Sequence, residues 1–213
     1  MLQFRIWLKG VSPMIWRRVQ VPATMTLRGL HGVFQVAMGW ESIHLFQFVL
    51  RATRYGSWEA AARSPDIALG DLRLRKGNRF LYEYDLTVPW EHEVRLEDRF
   101  ELRPRTIYPR CTGGDGDCPP EDCGGPEAFM MQTDCAFDLE VYDDLTLAVD
   151  FFEESHRKKT FDGLSDPDRM DALRGTLERI EARASMLGTS FERRKVNSRL
   201  REGEHLVLMH QQM

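Results

Sequence analysis

The stretch Pro13–Phe48 reads PMIWRRVQVPATMTLRGLHGVFQVAMGWESIHLFQF and predicts a strand, a helix and a second strand in close succession. Apolar and polar residues alternate from Ile15 to Val21, which is typical of a strand with one face on a core. Pro22 ends this strand, and either Thr24 or Thr26 then caps a helix that ends at Gly39. The segment Leu45–Leu50 has the composition of a buried strand. Residues spaced three and four apart form the apolar stripe of the helix: Leu27, Leu30, His31, Phe34 and Met38.

Three further segments predict strands on either side of this unit. Leu2–Lys9 alternates and is joined to the Ile15 strand by a short turn, which predicts a hairpin. Arg79–Leu86 and His92–Leu102 have similar patterns and follow each other closely. We therefore predict an α+β fold, with an antiparallel sheet of about five strands, a helix crossing one face, and further helices at the C-terminus.

The C-terminal third is predicted to be helical. We divide the chain into an α+β core at residues 1–137, which includes a Cys/Pro/Gly-rich loop at 103–126, and a helical extension at 138–213 packed on that core. Leu139–His156 is predicted to be a helix with Tyr142, Leu145, Val149 and Phe152 on one side. A second helix at 166–187 carries heptad-spaced apolar residues, so it either packs on its own domain or forms a coiled-coil seam for a homodimer or partner. Its stripe is Met170, Leu173, Leu177, Ile180, Ala184 and Leu187.

The motifs WRRV-x-VP, TL-x-x-LH and GWE-x-x-HL-x-x-F within the opening stretch resemble the plasmid ORF-3-like family, first described from a root-inducing plasmid. Three other stretches agree with this resemblance: Tyr84–Val94, Tyr108–Gly125 and Val196–Leu200. Many members of that family carry the label TnpR resolvase or are passenger proteins of insertion elements. The resemblance implies an origin on a plasmid or mobile element and assigns no biochemical function.

Charge and composition narrow the function classes. The 213 residues include 29 Lys and Arg against 33 Asp and Glu, a net charge of −4, which argues against general attraction to nucleic acid but allows a local basic patch. Because the sequence has no long apolar run and no signal peptide, we expect a cytoplasmic protein with no membrane segment. In that compartment the four cysteines would be thiols or metal ligands.

The Cys/Pro/Gly-rich loop is a candidate zinc site. Cys111, Cys118 and Cys123 with His92 would give a tetrahedral set of three thiolates and one imidazole. Neither cysteine gap has the CxxC spacing of structural zinc sites, so a metal-free loop held by prolines and acidic caps is the alternative. Cys135 lies apart and is expected to be a small buried apolar residue.

Polar and aromatic residues of the motifs form a candidate binding pocket. A carboxylate beside an imidazole, an arginine and several indoles is the composition of a polar pocket, although the same residues can also form a structural network. The residues are Trp16, Arg17, His44, Tyr84, Asp85, Trp90, His92, Glu121 and Asp122. The family's usual pattern has a second aspartate where this chain has Val88, which argues against a mechanism with paired carboxylates or two metals.

We assign no catalytic residues from the sequence, since GxSxG, P-loop and HExxH motifs are absent. Recombination is not expected, because the early serine Ser12 lies in a predicted turn and His92-x-x-Arg95 lies on a predicted strand. The function predicted is therefore an accessory binding protein of plasmid or mobile-element origin. The alternatives are a metal-dependent hydrolase acting on a phosphorylated or nucleic-acid substrate, and a self-associating adaptor. A basic C-terminal segment is the candidate DNA contact, with a solvated helix face as its alternative: Arg193, Arg194, Lys195, Arg199 and Arg201.

Overall fold

Seven strands form one antiparallel sheet in the computed structural model, which describes residues 1–57, 62–135, 139–159, 166–186 and 188–210. Within these residues the strands are β1 (Leu2–Leu8), β2 (Trp16–Val21), β3 (Phe46–Leu50), β4 (Thr53–Gly56), β5 (Arg79–Tyr84), β6 (Trp90–Arg99) and β7 (Arg110–Asp115). Their order across the sheet is β4-β3-β5-β6-β1-β2-β7. The same described residues contain six helices: α1 (Leu27–Met38), α2 (Gly125–Cys135), α3 (Leu139–Lys158), α4 (Pro167–Met186), α5 (Arg193–Arg201) and α6 (Glu204–Leu208).

The predicted α+β class with an antiparallel sheet is confirmed, but the prediction of about five strands was wrong because both edge strands were missed. β4 follows β3 through the two-residue turn Arg51-Ala52, whose φ angles of 47° and 64° are those that usually require Asn-Gly. β7 lies inside the block that was predicted to be loop, and it pairs with β2. Its two glycines and its aspartate conceal a strand because these residue types have low β propensity, whereas backbone pairing with β2 does not depend on side chains.

The predicted hairpin of β1 and β2 and the helix after it are confirmed. Thr26 caps α1 by accepting a hydrogen bond from the Gly29 N–H at 3.1 Å, and Gly39 ends the helix with φ 90°. The prediction of a single apolar stripe was too narrow, since almost every residue of α1 is buried. The reason is that α1 lies between the sheet and α6, and a Cβ on Gly32 would lie 2.1 Å from the His205 carbonyl oxygen.

The C-terminal helices form two groups. α5 and α6 place Val196, Leu200 and Leu208 in the same hydrophobic core as the sheet. α3 and α4 pack against each other as an antiparallel pair, close to their predicted bounds; position 187 and the side chain of Cys135 lie outside the described part of the chain. α2 was not predicted. None of the helices in the described ranges has the length and hydropathy needed to cross a membrane.

Replacing Gly32 with alanine should lower the free energy of unfolding by about 1–3 kcal/mol, because the added methyl group collides with the backbone of α6. Gly175→Ala in α4 is the matched control. A Cβ there meets only the Arg179 Nη1 atom at 3.4 Å, so helix propensity should raise stability by about 0.5–1 kcal/mol. Urea denaturation of both variants measures the difference, and an unchanged or more stable Gly32→Ala protein would contradict the packing described for α1 and α6.

Candidate functional site

Glu121, from the Pro/Gly-rich loop, joins several motif residues into one network. Its carboxylate accepts hydrogen bonds from the backbone N–H groups of Glu41 at 2.8 Å and Ile43 at 3.1 Å. The hydroxyl of Tyr84 also donates to it, and the pKa of Tyr84 is raised, first by burial and then by this bond. The indole of Trp90 donates to the Glu121 carbonyl at 3.2 Å. The carboxylate therefore fastens the loop over the turn between α1 and β3.

Two more bonds hold the same loop. The indole of Trp40 donates to the Pro119 carbonyl at 2.9 Å, and its ring stacks on Tyr84 with centroids 5.1 Å apart. The Nε2 atom of His44 lies 2.6 Å from a carboxylate oxygen of Asp122, a hydrogen bond at the surface. The predicted residues Tyr84, Trp90, Glu121 and Asp122 thus meet, together with His44, but most of their polar atoms are bonded to one another.

A second polar cluster lies fully inside the core. His31 contacts the Tyr82 hydroxyl at 2.8 Å and the Ser42 hydroxyl at 2.9 Å, and its ring stacks on Phe46. Gln35 donates to the Tyr82 hydroxyl and accepts from the Ser42 N–H. Burial lowers the pKa of His31 to about 3. The sequence analysis assigned His31 to the apolar stripe, and its neutral ring fits that position.

His92 is also buried, with 0% of its surface exposed. Its Nδ1 lies 2.9 Å from the Trp90 carbonyl and must donate to it, so Nε2 carries the lone pair. Nε2 has no hydrogen-bond partner among the described residues. Burial lowers the pKa of His92 to about 3, with a smaller effect from the charge of Arg17. His92 is therefore a neutral core residue at physiological pH.

Arg17 is a buried cation, only 1% exposed. Its Nε donates to the Ala37 carbonyl at 2.9 Å, and its Nη1 donates to the carbonyls of Trp16 at 2.9 Å and Asp115 at 2.8 Å. The guanidinium also lies 4.1 Å from the ring centre of Phe191. Burial lowers its pKa. The side chain connects α1, β2, β7 and the segment before α5.

Two of the predicted pocket residues lie elsewhere. Trp16 points to the opposite face of the sheet, where the guanidinium of Arg5 lies 4.4 Å and that of Arg18 5.2 Å from its ring centre. Asp85 has φ 59° and accepts hydrogen bonds from the N–H groups of Thr87 and Val88, which closes the turn between β5 and β6.

The cysteine residues occupy different environments. Cys111 in β7 and Cys118 are buried, and burial raises the pKa of Cys118 to about 12. Asn197 of α5 bonds to both backbone groups of Cys111 at 2.8 Å, and the Cys118 backbone pairs with Thr189. Cys123 is half-buried. Across the described ranges, histidine, cysteine and acidic side chains form no group of three or more that could hold a metal ion, so the predicted set with His92 is not assembled.

The basic residues predicted to contact DNA lie on α5. Arg193, Arg194, Lys195 and Arg201 are exposed, whereas Arg199 is half-buried and paired with Glu204. The exposed carboxylates Glu192 and Glu202 flank the helix.

A groove of about 690 Å³ opens near the β4 edge of the sheet, beside the β3–β4 turn. Buried apolar residues such as Leu72 and Phe80 form part of its lining. Four exposed arginines surround it, and Asp71 is the single carboxylate among the described residues of the lining. The arginines are Arg51, Arg73, Arg75 and Arg79.

This groove was not predicted from the sequence, although a signal was present. The segment LRLRKGNR, residues 72–79, contains four basic residues, but most of it fell between predicted elements. Arg79 pairs with Glu93 at 2.8 Å. Arg51, Arg73 and Arg75 form no ion pair with any residue that the structure describes. Their charges are therefore available to a ligand.

Comparisons with known proteins agree with the motifs. A family model described as "Plasmid pRiA4b ORF-3-like protein" matches residues 1–163. The "Uncharacterized protein y4hQ" of Sinorhizobium fredii is 35% identical over 136 residues, which cover 61% of this chain and 69% of the relative. A crystal structure of protein MM3350 of unknown function from Methanosarcina mazei Go1 has a TM-score of 0.61 and 32% identity, over 67% of this chain and 85% of the other.

Replacing Glu121 with alanine should cost about 1–3 kcal/mol of unfolding free energy, because the Tyr84 hydroxyl and two backbone N–H groups lose their acceptor. Asp122→Ala is the matched control, since it removes only an exposed hydrogen bond with His44 and should cost about 0–1 kcal/mol. Equal losses in urea denaturation would show that Glu121 does not fasten the loop.

Stability should fall as the pH drops below neutrality. His31 and His92 have a folded pKa of about 3, below the value of about 6.5 for an unfolded histidine, so the unfolded chain binds protons first. Their contribution is complete above about pH 6.5 and is lost progressively toward pH 3, with on the order of 2 kcal/mol lost per histidine at pH 5.

Urea denaturation between pH 7 and pH 5 tests this, with His92→Gln as the comparison. The slope of the unfolding free energy against pH should be smaller for the variant by the equivalent of about one bound proton. An identical slope for both proteins would contradict the neutral, buried state of His92.

Proposed function

This chain belongs to the plasmid pRiA4b ORF-3-like protein family, and we propose that it is a non-catalytic accessory protein that binds nucleic acid through the arginine groove. Its origin on a plasmid or mobile element is part of the proposal and follows the description of the family. The relatives compared above are uncharacterised, so the case depends on the chain's own residues.

The observation that carries the proposal is the local excess of positive charge in the groove. Four arginines and one aspartate line it, although the whole chain has a net charge of −4. Guanidinium groups bind phosphate oxygens through paired N–H donors, and phosphate contacts supply most of the affinity of non-specific nucleic-acid binding. A groove with this charge therefore fits a phosphate backbone.

The backbone beneath the arginines supports a functional role. Arg51 has φ 47° and Arg73 has φ 50°, in the left-handed region that costs energy for residues other than glycine. Such conformations persist where the surrounding structure imposes them, and they are concentrated at binding and active sites. At both positions the side chain is a cation that lines the groove.

The chemistry of the motif residues supports binding over catalysis. A general base that works near neutral pH needs a pKa near 7, but the pKa values of His31 and His92 are about 3. Burial raises the pKa values of Cys111 and Cys118, which disfavours thiolate nucleophiles. The two histidines are therefore neutral and the two cysteines are thiols near neutral pH, and all four side chains are buried in the fold.

DNA binding can be tested by fluorescence anisotropy with a fluorescein-labelled oligonucleotide, single-stranded and as a duplex, over a range of salt concentrations. Arg73→Asn with Arg75→Gln removes two charges, and asparagine tolerates the left-handed backbone at position 73. We expect roughly tenfold weaker binding at low salt and a salt slope reduced by about two, one for each lost phosphate contact.

Arg193→Gln with Arg194→Gln on α5 is the matched control, because it removes the same charge from the other basic surface and should leave binding unchanged. If the α5 variant loses binding and the groove variant keeps it, the contact lies on α5. Absence of binding by the unaltered protein at low salt would refute the proposal.

A further inference from the structure

One face of α3 exposes large apolar side chains. Four of them are spaced three, four and three residues apart, the repeat of a helix that packs against another helix along a seam. They are Tyr142 (70% exposed), Leu145 (47%), Val149 (51%) and Phe152 (58%). An apolar face of this kind, placed in solvent, is typical of an interaction surface.

A different face of α3 packs against α4. Ala148 and Phe151 are buried there, and Asp144 pairs with Arg179 and Arg183. An α-helix turns by about 100° per residue, so residues 145, 149 and 152 lie about a quarter turn from residues 144, 148 and 151. Two apolar faces at about a right angle are what each helix of a four-helix bundle presents to its two neighbours.

The same offset occurs on α4. Arg169 contacts Phe151 of α3, Thr176 is buried, and Arg183 pairs with Asp144. Each of these α4 residues faces α3, and the next residue along the chain is rotated from it by about 100°. In two antiparallel helices, the residues that follow the facing positions lie on one common side of the helix pair. That position is taken by apolar residues: Met170, Leu177 (41% exposed) and Ala184. The hairpin of α3 and α4 therefore presents one broad apolar face.

We infer that a second copy of this chain covers that face, so that two hairpins form a four-helix bundle. The face is self-complementary about a two-fold axis. The pairing of Asp144 with Arg179 and of Glu154 with Arg169 places Leu177 level with the middle of the α3 stripe. A two-fold axis at that level, perpendicular to the helices, sets Tyr142 of one copy opposite Phe152 of the other.

Charge follows the same symmetry. Arg174 and Glu181 follow Leu173 and Ile180 on α4, and so lie on the same side as Leu177. The side chain of Arg174 is 65% exposed, and its one ion pair among the residues that the structure describes is a 3.5 Å contact with Asp171. The two-fold axis near Leu177 brings Arg174 of one copy opposite Glu181 of the other, and it does so twice. A second copy would thus bury the apolar face and pair the charges of Arg174 and Glu181.

The first experiment measures mass by light scattering and sedimentation over a range of concentrations. The unaltered chain should be a dimer, and Leu145→Asp with Val149→Asp should be a monomer with an unchanged circular dichroism spectrum. Leu147→Asp is the matched control: Leu147 is 41% exposed on the same helix but lies on the other side of the hairpin, so this variant should remain a dimer.

The second experiment tests the two-fold arrangement. Arg174→Glu should weaken the dimer at least about tenfold, because the new carboxylate at position 174 of each copy then lies opposite Glu181 of the other copy. Adding Glu181→Arg should restore the dimer, because opposite charges face each other again. A monomeric unaltered chain, or equal disruption by Leu147→Asp, would overturn the inference. Failure of the double charge exchange to restore association would overturn the proposed symmetry.

Discussion

The buried guanidinium of Arg17 is the constraint on which much of this structure depends. Removing a charge from water costs several kcal/mol, and here three carbonyl groups replace the water. One of these carbonyls, that of Ala37, lies at the C-terminal end of α1, where the helix dipole is negative and the last turn has no basic residue of its own. Arg17 therefore fixes the end of α1, the end of β7 and the position of Phe191 together.

The motif residues around this cation are engaged with one another. The loop is held over the α1–β3 turn by Glu121, Tyr84 and Trp40. On the open edge of β7, the side chain of Asn197 accepts a hydrogen bond from the Cys111 N–H, as a neighbouring strand would. Shared motifs in this family are thus accounted for by the loop and edge strand that they hold in place. The two surfaces proposed to bind partners, the arginine groove and the α3–α4 face, lie outside the motifs that carried the resemblance.

Sequence patterns predicted elements wherever packing follows chain periodicity. The alternation in β1 and β2, the cap at Thr26 and the end at Gly39 are local properties, and the structure contains all of them. β4 was missed because the Arg51-Ala52 turn that precedes it lacks the residue types typical of a left-handed hairpin turn. β7 was missed because its glycine-rich sequence forms a strand by pairing with β2, which is distant in sequence. The predicted pocket divided for a local reason: Trp16 and Arg17 are adjacent on β2, and successive side chains of a strand point to opposite faces of the sheet.

By itself the sequence determined the α+β class, the antiparallel sheet, the position of α1 and the family, because each depends on periodicity or on motifs that can be read along the chain. Only the tertiary structure decided which polar residues are buried, since burial of His31, His92 and Arg17 follows from what packs over them. It also decided which charges gather, because Arg51 and Arg73 meet only when the β3–β4 turn lies beside the segment before β5. The arginine groove is assembled from separate segments, so it has no signature at a fixed spacing, whereas the apolar stripe of α3 lies on one helix and can be read from its spacing.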